Sequence, residues 1–206
     1  MSKVDFKKQW KQLYQPSTKE FETVEVPPMS FLMIDGHGDP NTVPAYQEAV
    51  EALYAVAYGV KFMSKKELGR DYVVPPLEGI WWAEDIATFT EARDKDSWYW
   101  TMMTMVPEWV SPGMYERAMA EVAAKKDPPG LSKIRLGSYH EGLAVQIMHL
   151  GSYDAEGPTL ARLHDQWLPD NGYVENGRHH EIYLNDPRRV APEKLKTILR
   201  QPIRKG

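Results

Sequence analysis

Cysteine is absent from the 206 residues, so no disulfide, thiolate zinc site, iron–sulfur cluster or cysteine nucleophile is available. That absence fits a reducing, cytoplasmic setting. Long apolar runs are also missing. No uncharged stretch of ~18 residues offers a membrane span, and the polar, charged first residues carry no secretory pattern. Positive charge is not in surplus. Lys plus Arg number 25 against 29 Asp plus Glu, a formal charge of −4, which argues against a nucleic-acid partner. The common cofactor motifs are missing too. Gly36-His37-Gly38 has Asn41 where a dinucleotide fingerprint needs its third glycine, and no P-loop or nucleophile elbow occurs. His180-Glu181 begins like a zinc-protease motif but meets Leu184 where the second histidine belongs. His179 and His180 are adjacent, so on a strand they point to opposite faces and cannot share a metal. Neither a cofactor nor a metal is expected.

Aromatic residues are abundant. Seven Trp, 11 Tyr and 5 Phe make up 11% of the chain, and ten Met add adaptable apolar surface. So many indoles require either a very aromatic core or an aromatic-lined pocket, and core packing is the simpler role for any single one. Apolar content of 42% and charged content of 26% describe an ordinary globular chain with enough apolar surface for a sizeable core.

The first 20 residues place Phe6, Trp10, Leu13 and Tyr14 at helical spacing, predicting a short amphipathic helix docked on the body. Strands are predicted over 21–26, 31–34, 72–77, 80–82, 97–106, 143–150 and 181–184. Helices are predicted after Pro44, after Ser111-Pro112, from Pro158 to a stop at Pro169, and from Pro192 with Leu195, Ile198 and Leu199. The basic end (Lys194, Lys196, Arg200, Arg204, Lys205) then reads as the solvated face of that last helix. Met33-Ile34-Asp35-Gly36-His37-Gly38-Asp39 aligns with Met148-His149-Leu150-Gly151-Ser152-Tyr153-Asp154, and each copy runs strand, glycine turn, proline-started helix, further strands. Two α+β halves of this kind join their strands antiparallel with helices on one face. The other face, or the seam between the halves, is then a cleft.

The most informative strand is His179-His180-Glu181-Ile182-Tyr183-Leu184. Period two puts Glu181 and Tyr183 on one face and Ile182 and Leu184 on the other. If the apolar pair meets the helices, Glu181 points into the opposite cavity. A carboxylate among aromatic rings is costly to bury unless paired or partly wet. It is a surface carboxylate, a counter-charge for a cationic ligand, or a general acid/base. Setting Ile80 against Ile182 places Trp81 opposite Tyr183. Trp98 and Trp100 share one strand face, and periodicity leaves open whether it is core. Flat aromatic walls with one carboxylate suit an aromatic or cationic organic ligand.

Three stretches carry a resemblance. They are Gln146–Asp154, His179–Pro187, and Phe31–Gly36 with Gly38-Asp39-Pro40; the ending Lys196–Arg200 also fits. The chain resembles the GyrI-like small-molecule-binding domain over nearly its whole length. The resemblance implies one domain over 1–206, with the N-terminal helix in 1–20, a first half of about 21–130 and a second half of about 131–206. The implied fold is α+β: two pseudo-symmetric split β-α-β-β units forming an antiparallel sheet around a central ligand cleft. No helix-turn-helix pattern is read ahead of the domain, so the stand-alone form is implied. Glu181 matches the family's ligand-facing glutamate. Trp81, Trp82, Trp98, Trp100, Tyr139, His149 and Tyr183 are the further ligand-binding candidates. The Trp pair and the ending also look like the cyclopropanoid cyclopropyl hydrolases, which add water to a reactive cyclopropane. In that chemistry Glu181 orients the water and Tyr183 or Tyr139 is the donor. Binding of an aromatic or cationic small molecule is the first expectation, hydrolysis the second, and inhibition of a protein partner a third.

Overall fold

The computed structural model describes residues 3–84 and 94–206. The chain divides into two compact units. The first comprises residues 1–9, 29–75 and 79–139, and the second 10–28, 76–78 and 140–206.

In the first unit, β2 (Met29–His37) lies between β4 (Tyr99–Val106) and β5 (Arg135–Tyr139), and β3 (Leu77–Trp82), which belongs to this unit from Gly79 onward, flanks β4. β2 pairs antiparallel with both β4 and β5, setting Gly36 against Trp100 and Met33 against Arg135. Helix α3 (Pro44–Leu68) starts at Pro44, where a missing N–H costs nothing. Val43, in extended conformation, occupies its cap instead of a hydroxyl residue. Its buried face runs Ala49, Ala52, Leu53, Val56, Ala57, Val60, and Gly69 closes it in the left-handed region at φ 65°. Helix α4 (Pro112–Lys125) begins as predicted: Pro112 sits in its first turn, and the Ser111 hydroxyl accepts from the Met114 amide at 3.2 Å. It packs on α3 through Ala118 and Val122 beside Gly59.

In the second unit the order is β1 (Glu22–Val26), β6 (Gly142–Leu150), β9 (Lys196–Lys205), β8 (His179–Tyr183), with β7 (Tyr173–Glu175) on the far end of β9. Reading β5-β2-β4-β3 against β1-β6-β9-β8 gives the same strand order in each unit, each with a helix between its second and third elements. The repeat seen in the sequence is therefore a repeat of topology. The architecture is α+β with antiparallel strands.

Three local expectations are corrected. The N-terminal helix is two single turns, α1 (Phe6–Gln9) and α2 (Lys11–Tyr14), because Trp10 leaves helical geometry at φ −112°, ψ 61°. The helix after Pro158 does not stop at Pro169. It runs as α5 (Gly157–Arg162), a π turn over Leu163–Trp167, and α6 (Leu168–Asp170). The wider π turn, closed by the Leu168 amide on the Leu163 carbonyl, relieves the clash a proline ring makes one turn back. The last helix is absent. Pro192–Lys194 form one 3-10 turn, and residues 196–205 are β9, at the centre of the second unit. Its neighbours β6 and β8 and both of its faces are occupied, so residues 197–203 are all buried and show no alternation.

Candidate functional site

The register of β9 sorts the second unit's side chains onto two faces. His180 stands opposite Arg200 and Ile182 opposite Ile198; Glu181 stands opposite Leu199 and Tyr183 opposite Thr197. On β6, Gln146 and Met148 join the first set, and Ile147 and His149 the second. Leu163 and Leu168, from the α5–α6 segment, pack on Val145 and Ile203 of that second face. Glu181 thus points to the face that carries the α5–α6 segment. Ile182 shares the opposite face with Arg200, which binds the backbone of the single-turn α2, so each face of the strand carries helical residues.

The Ile182 face holds a buried charge network. His180 is sandwiched between carboxylates, with Nε2 at 2.9 Å from Glu78 and Nδ1 at 3.1 Å from Glu141. Arg200 reaches Glu141 at 3.3 Å and Gln146 at 3.0 Å, and also binds the Leu13 carbonyl. Tyr14 donates to Glu78 at 3.4 Å, and Gln146 donates to the Gln12 carbonyl at 2.6 Å. Burial alone would lower the His180 pKa, but the two carboxylates override it and push it up to about 9. For Glu141 burial acts upward, yet His180 and Arg200 hold it below the usual carboxylate range. Two cations and two anions balance, so the network clamps residues 12–14 to the strands. Arg200, expected on a solvated helix face, is the buried centre of this clamp. A cavity of about 400 Å³ also opens on this face, lined by Tyr14, Pro16, Met148, Leu150, Leu184 and Lys196. Its lining holds no acid.

On that other face Tyr183 donates its hydroxyl to Glu181 Oε2 at 2.7 Å, and His179 Nε2 lies 3.4 Å from Oε1. The Tyr153 ring meets Tyr183 edge-on at 5.6 Å. His149 contacts the Ser152 carbonyl at 3.2 Å, beneath the turn that Gly151 makes at φ 139°. A single turn, Tyr153–Ala155, then delivers Glu156 to the start of α5. Glu156 is 5% exposed, and Thr197 beside it is fully buried. Burial first, and the neighbouring Glu181 carboxylate second, push the Glu156 carboxyl up to about 10. The Thr197 hydroxyl lies against the Glu156 carboxyl, and among the described residues Glu156 Oε1 and both ring nitrogens of His179 are buried without a hydrogen-bond partner. Buried polar atoms rarely remain so unless a ligand or water meets them. Neither Glu156 nor Thr197 stood out in the sequence. The clue was Glu156's place just after the repeated glycine turn.

The first unit holds the tryptophans. Trp100 is 1% exposed; its ring covers Gly36, and its Nε1 donates to the Gly38 carbonyl at 3.2 Å. Tyr46 of α3 meets Trp100 edge-on at 5.3 Å and Trp81 at 6.2 Å, and Trp81 meets Trp98 at 6.0 Å. Trp81, Trp98 and Trp100 therefore lie on the α3 side. Trp82 lies on the other side, stacked on Tyr99 at 5.7 Å, with His37 beyond Tyr99 at 4.5 Å. Tyr139 ends β5, paired with Met29. Glu181, Tyr183 and His149 are thus brought to one face of the second unit. Trp81, Trp98 and Trp100 form a cluster of the first unit, with Trp82 on the opposite side and Tyr139 at the end of β5.

The model of the GyrI-like small-molecule-binding domain matches residues 19–204. The chain belongs to this family. A solved structure of a conserved protein from Listeria innocua is 43% identical, with 98% of this chain and 100% of that one covered at a TM-score of 0.89. A hydrolase from Listeria innocua is 42% identical over the same shares, at a TM-score of 0.83. The C-terminal domain of EcmrR, 14% identical at a TM-score of 0.56 over 91% of this chain and 98% of that one, shares the fold. No match was found among curated proteins. Among the described residues no group of acids and histidines could hold a metal, and no helix is long and apolar enough to cross a membrane.

Proposed function

We propose that the protein is a small-molecule hydrolase that adds water to a neutral, electrophilic aromatic substrate at the Glu181 face. One observation carries the reading: the Glu181 carboxylate is fixed at one oxygen by the Tyr183 hydroxyl at 2.7 Å, with His179 Nε2 3.4 Å from the other, on a face where further buried polar atoms have no hydrogen bond. A carboxylate fixed in this way is a competent general base for a bound water. The name of the 42%-identical Listeria hydrolase supports the same reaction class. The resemblance to cyclopropanoid hydrolases supplies the substrate class, a cyclopropane fused to a cross-conjugated dienone. Tyr183 orients the base, and the Tyr153 and Tyr183 rings offer the ligand aromatic surface. Incubation with a cyclopropane-fused dienone, followed by mass spectrometry, tests the reading. A ring-opened water adduct forming only with protein is expected. Saturable binding without an adduct would overturn hydrolysis and leave a binding protein.

A further inference from the structure

Opening a cyclopropane fused to a dienone pushes electrons onto the dienone oxygen, and that oxygen needs a proton. Tyr183 already directs its hydroxyl to Glu181, so the face needs a separate donor. Glu156 is suited by position. It is 5% exposed, lies against the Thr197 hydroxyl of β9 and within the field of the Glu181 carboxylate, and its Oε1 is buried without a hydrogen bond among the described residues.

We propose that Glu156 is the acid of the site, a neutral carboxylic acid that gives its proton to the substrate's departing oxygen while Glu181 takes one from water. This rests on the hydrolytic reading above. The water oxygen bonds to the strained methylene and the ring carbon–carbon bond breaks. Its electron pair passes through the ring to the dienone oxygen, which becomes a phenol by accepting the Glu156 proton. The proton released by water goes to Glu181 and returns from there to Glu156, so the net change is addition of one water. The groups facing Glu156 favour its neutral form. Burial disfavours the anion, and Glu181 from β8 and Asp154 from the preceding turn add negative charge. Only the Thr197 hydroxyl works the other way, and His179 and Tyr183 are directed to Glu181. A carboxyl kept neutral by burial beside a second carboxylate is the arrangement that supplies an acid to such a site.

The test is the pH dependence of turnover in wild type, Glu156→Gln and Glu156→Asp with a cyclopropane-fused dienone. Wild-type turnover should fall as the pH rises toward 10, where Glu156 loses its proton. Glu156→Gln should lose roughly a hundredfold in turnover at neutral pH, the scale of one general acid, and should lack that alkaline fall. Its affinity for the substrate should change by less than about threefold. Glu156→Asp, still an acid, should recover part of the turnover together with the alkaline fall, which a purely structural role would not restore. Glu156→Gln turnover and alkaline profile equal to wild type would overturn this step alone. An inactive wild type would overturn the hydrolytic reading and this step with it.

Discussion

Replacing Glu156 by Gln should stabilise the protein, and more so as the pH rises. In an unfolded chain this carboxyl has its ordinary value of 4.5; in the fold it is held up to about 10 by burial and by Glu181. Between those limits the unfolded chain has released a proton that the folded chain keeps. The folded state is therefore favoured most below pH 4.5 and loses ground as the pH climbs toward 10. Each unit costs about 1.4 kcal/mol for one proton. Three units, from 4.5 to 7.5, give about 4 kcal/mol as an upper bound; relaxation and water entry leave roughly 2 kcal/mol. Glutamine keeps the shape and cannot ionise, so it avoids this cost. A gain of about 2 kcal/mol raises Tm by roughly 4–8 °C in a chain of this size. Thermal unfolding of both proteins at pH 5 and pH 8 is the assay. Near-equal Tm values at pH 5 with a higher Tm for the variant at pH 8 are expected. A difference that does not grow with pH, or a variant less stable at pH 8, would refute the reasoning.

The remaining predictions concern the clamp, the turn and the base. His180→Leu removes the cation between Glu78 and Glu141 and should cost roughly 3–5 kcal/mol in urea unfolding; a loss under about 1 kcal/mol would show that the network is not balanced as described. Because the folded His180 pKa is raised to about 9 from 6.5, its stabilisation is complete below pH 6.5 and disappears as the pH rises through 9. Wild type, compared with His180→Gln, should therefore lose its advantage across that window and not below it. Gly36→Ala puts a methyl 2.0 Å from Trp100 Cη2 and should destabilise by about 1–3 kcal/mol while altering the near-UV signal of the buried indole. An unchanged midpoint would mean the indole moves freely. Tyr183→Phe should lower turnover about tenfold with little change in affinity, since it unfastens one oxygen of the base; an equal rise in KM with constant turnover would make Tyr183 a ligand contact.

Local patterns carried much of this structure. Ser111-Pro112 starts α4 because a hydroxyl cap and a proline without N–H are self-contained signals. Period two on His179–Tyr183 placed Glu181 and Tyr183 on one face, and the register agrees. β9 was illegible for a physical reason: Leu195, Ile198 and Leu199 fit helical spacing, and a strand occupied on both faces shows no alternation. The β-branched Thr197, Ile198 and Ile203 were the available contrary signal. Glu78, Glu141, His180 and Arg200 lie far apart in the chain, and their neutrality as a group exists only after the strands pair. Glu156 offered only its place after the repeated glycine turn, because its raised proton affinity comes from burial and from Glu181, which arrives on another element. The side taken by Trp98 and Trp100 needed α3, whose Tyr46 settles it.

The central claim is that Glu181 activates a water for addition to a bound substrate. Turnover of a cyclopropane-fused dienone in water enriched in heavy oxygen, with product mass read for wild type and Glu181→Gln at saturating substrate, tests it most directly. Wild type should place one solvent oxygen in every ring-opened product, while Glu181→Gln should bind the substrate and form almost no labelled product. Ring-opened product without solvent oxygen, or equal labelling by the variant, would contradict the account.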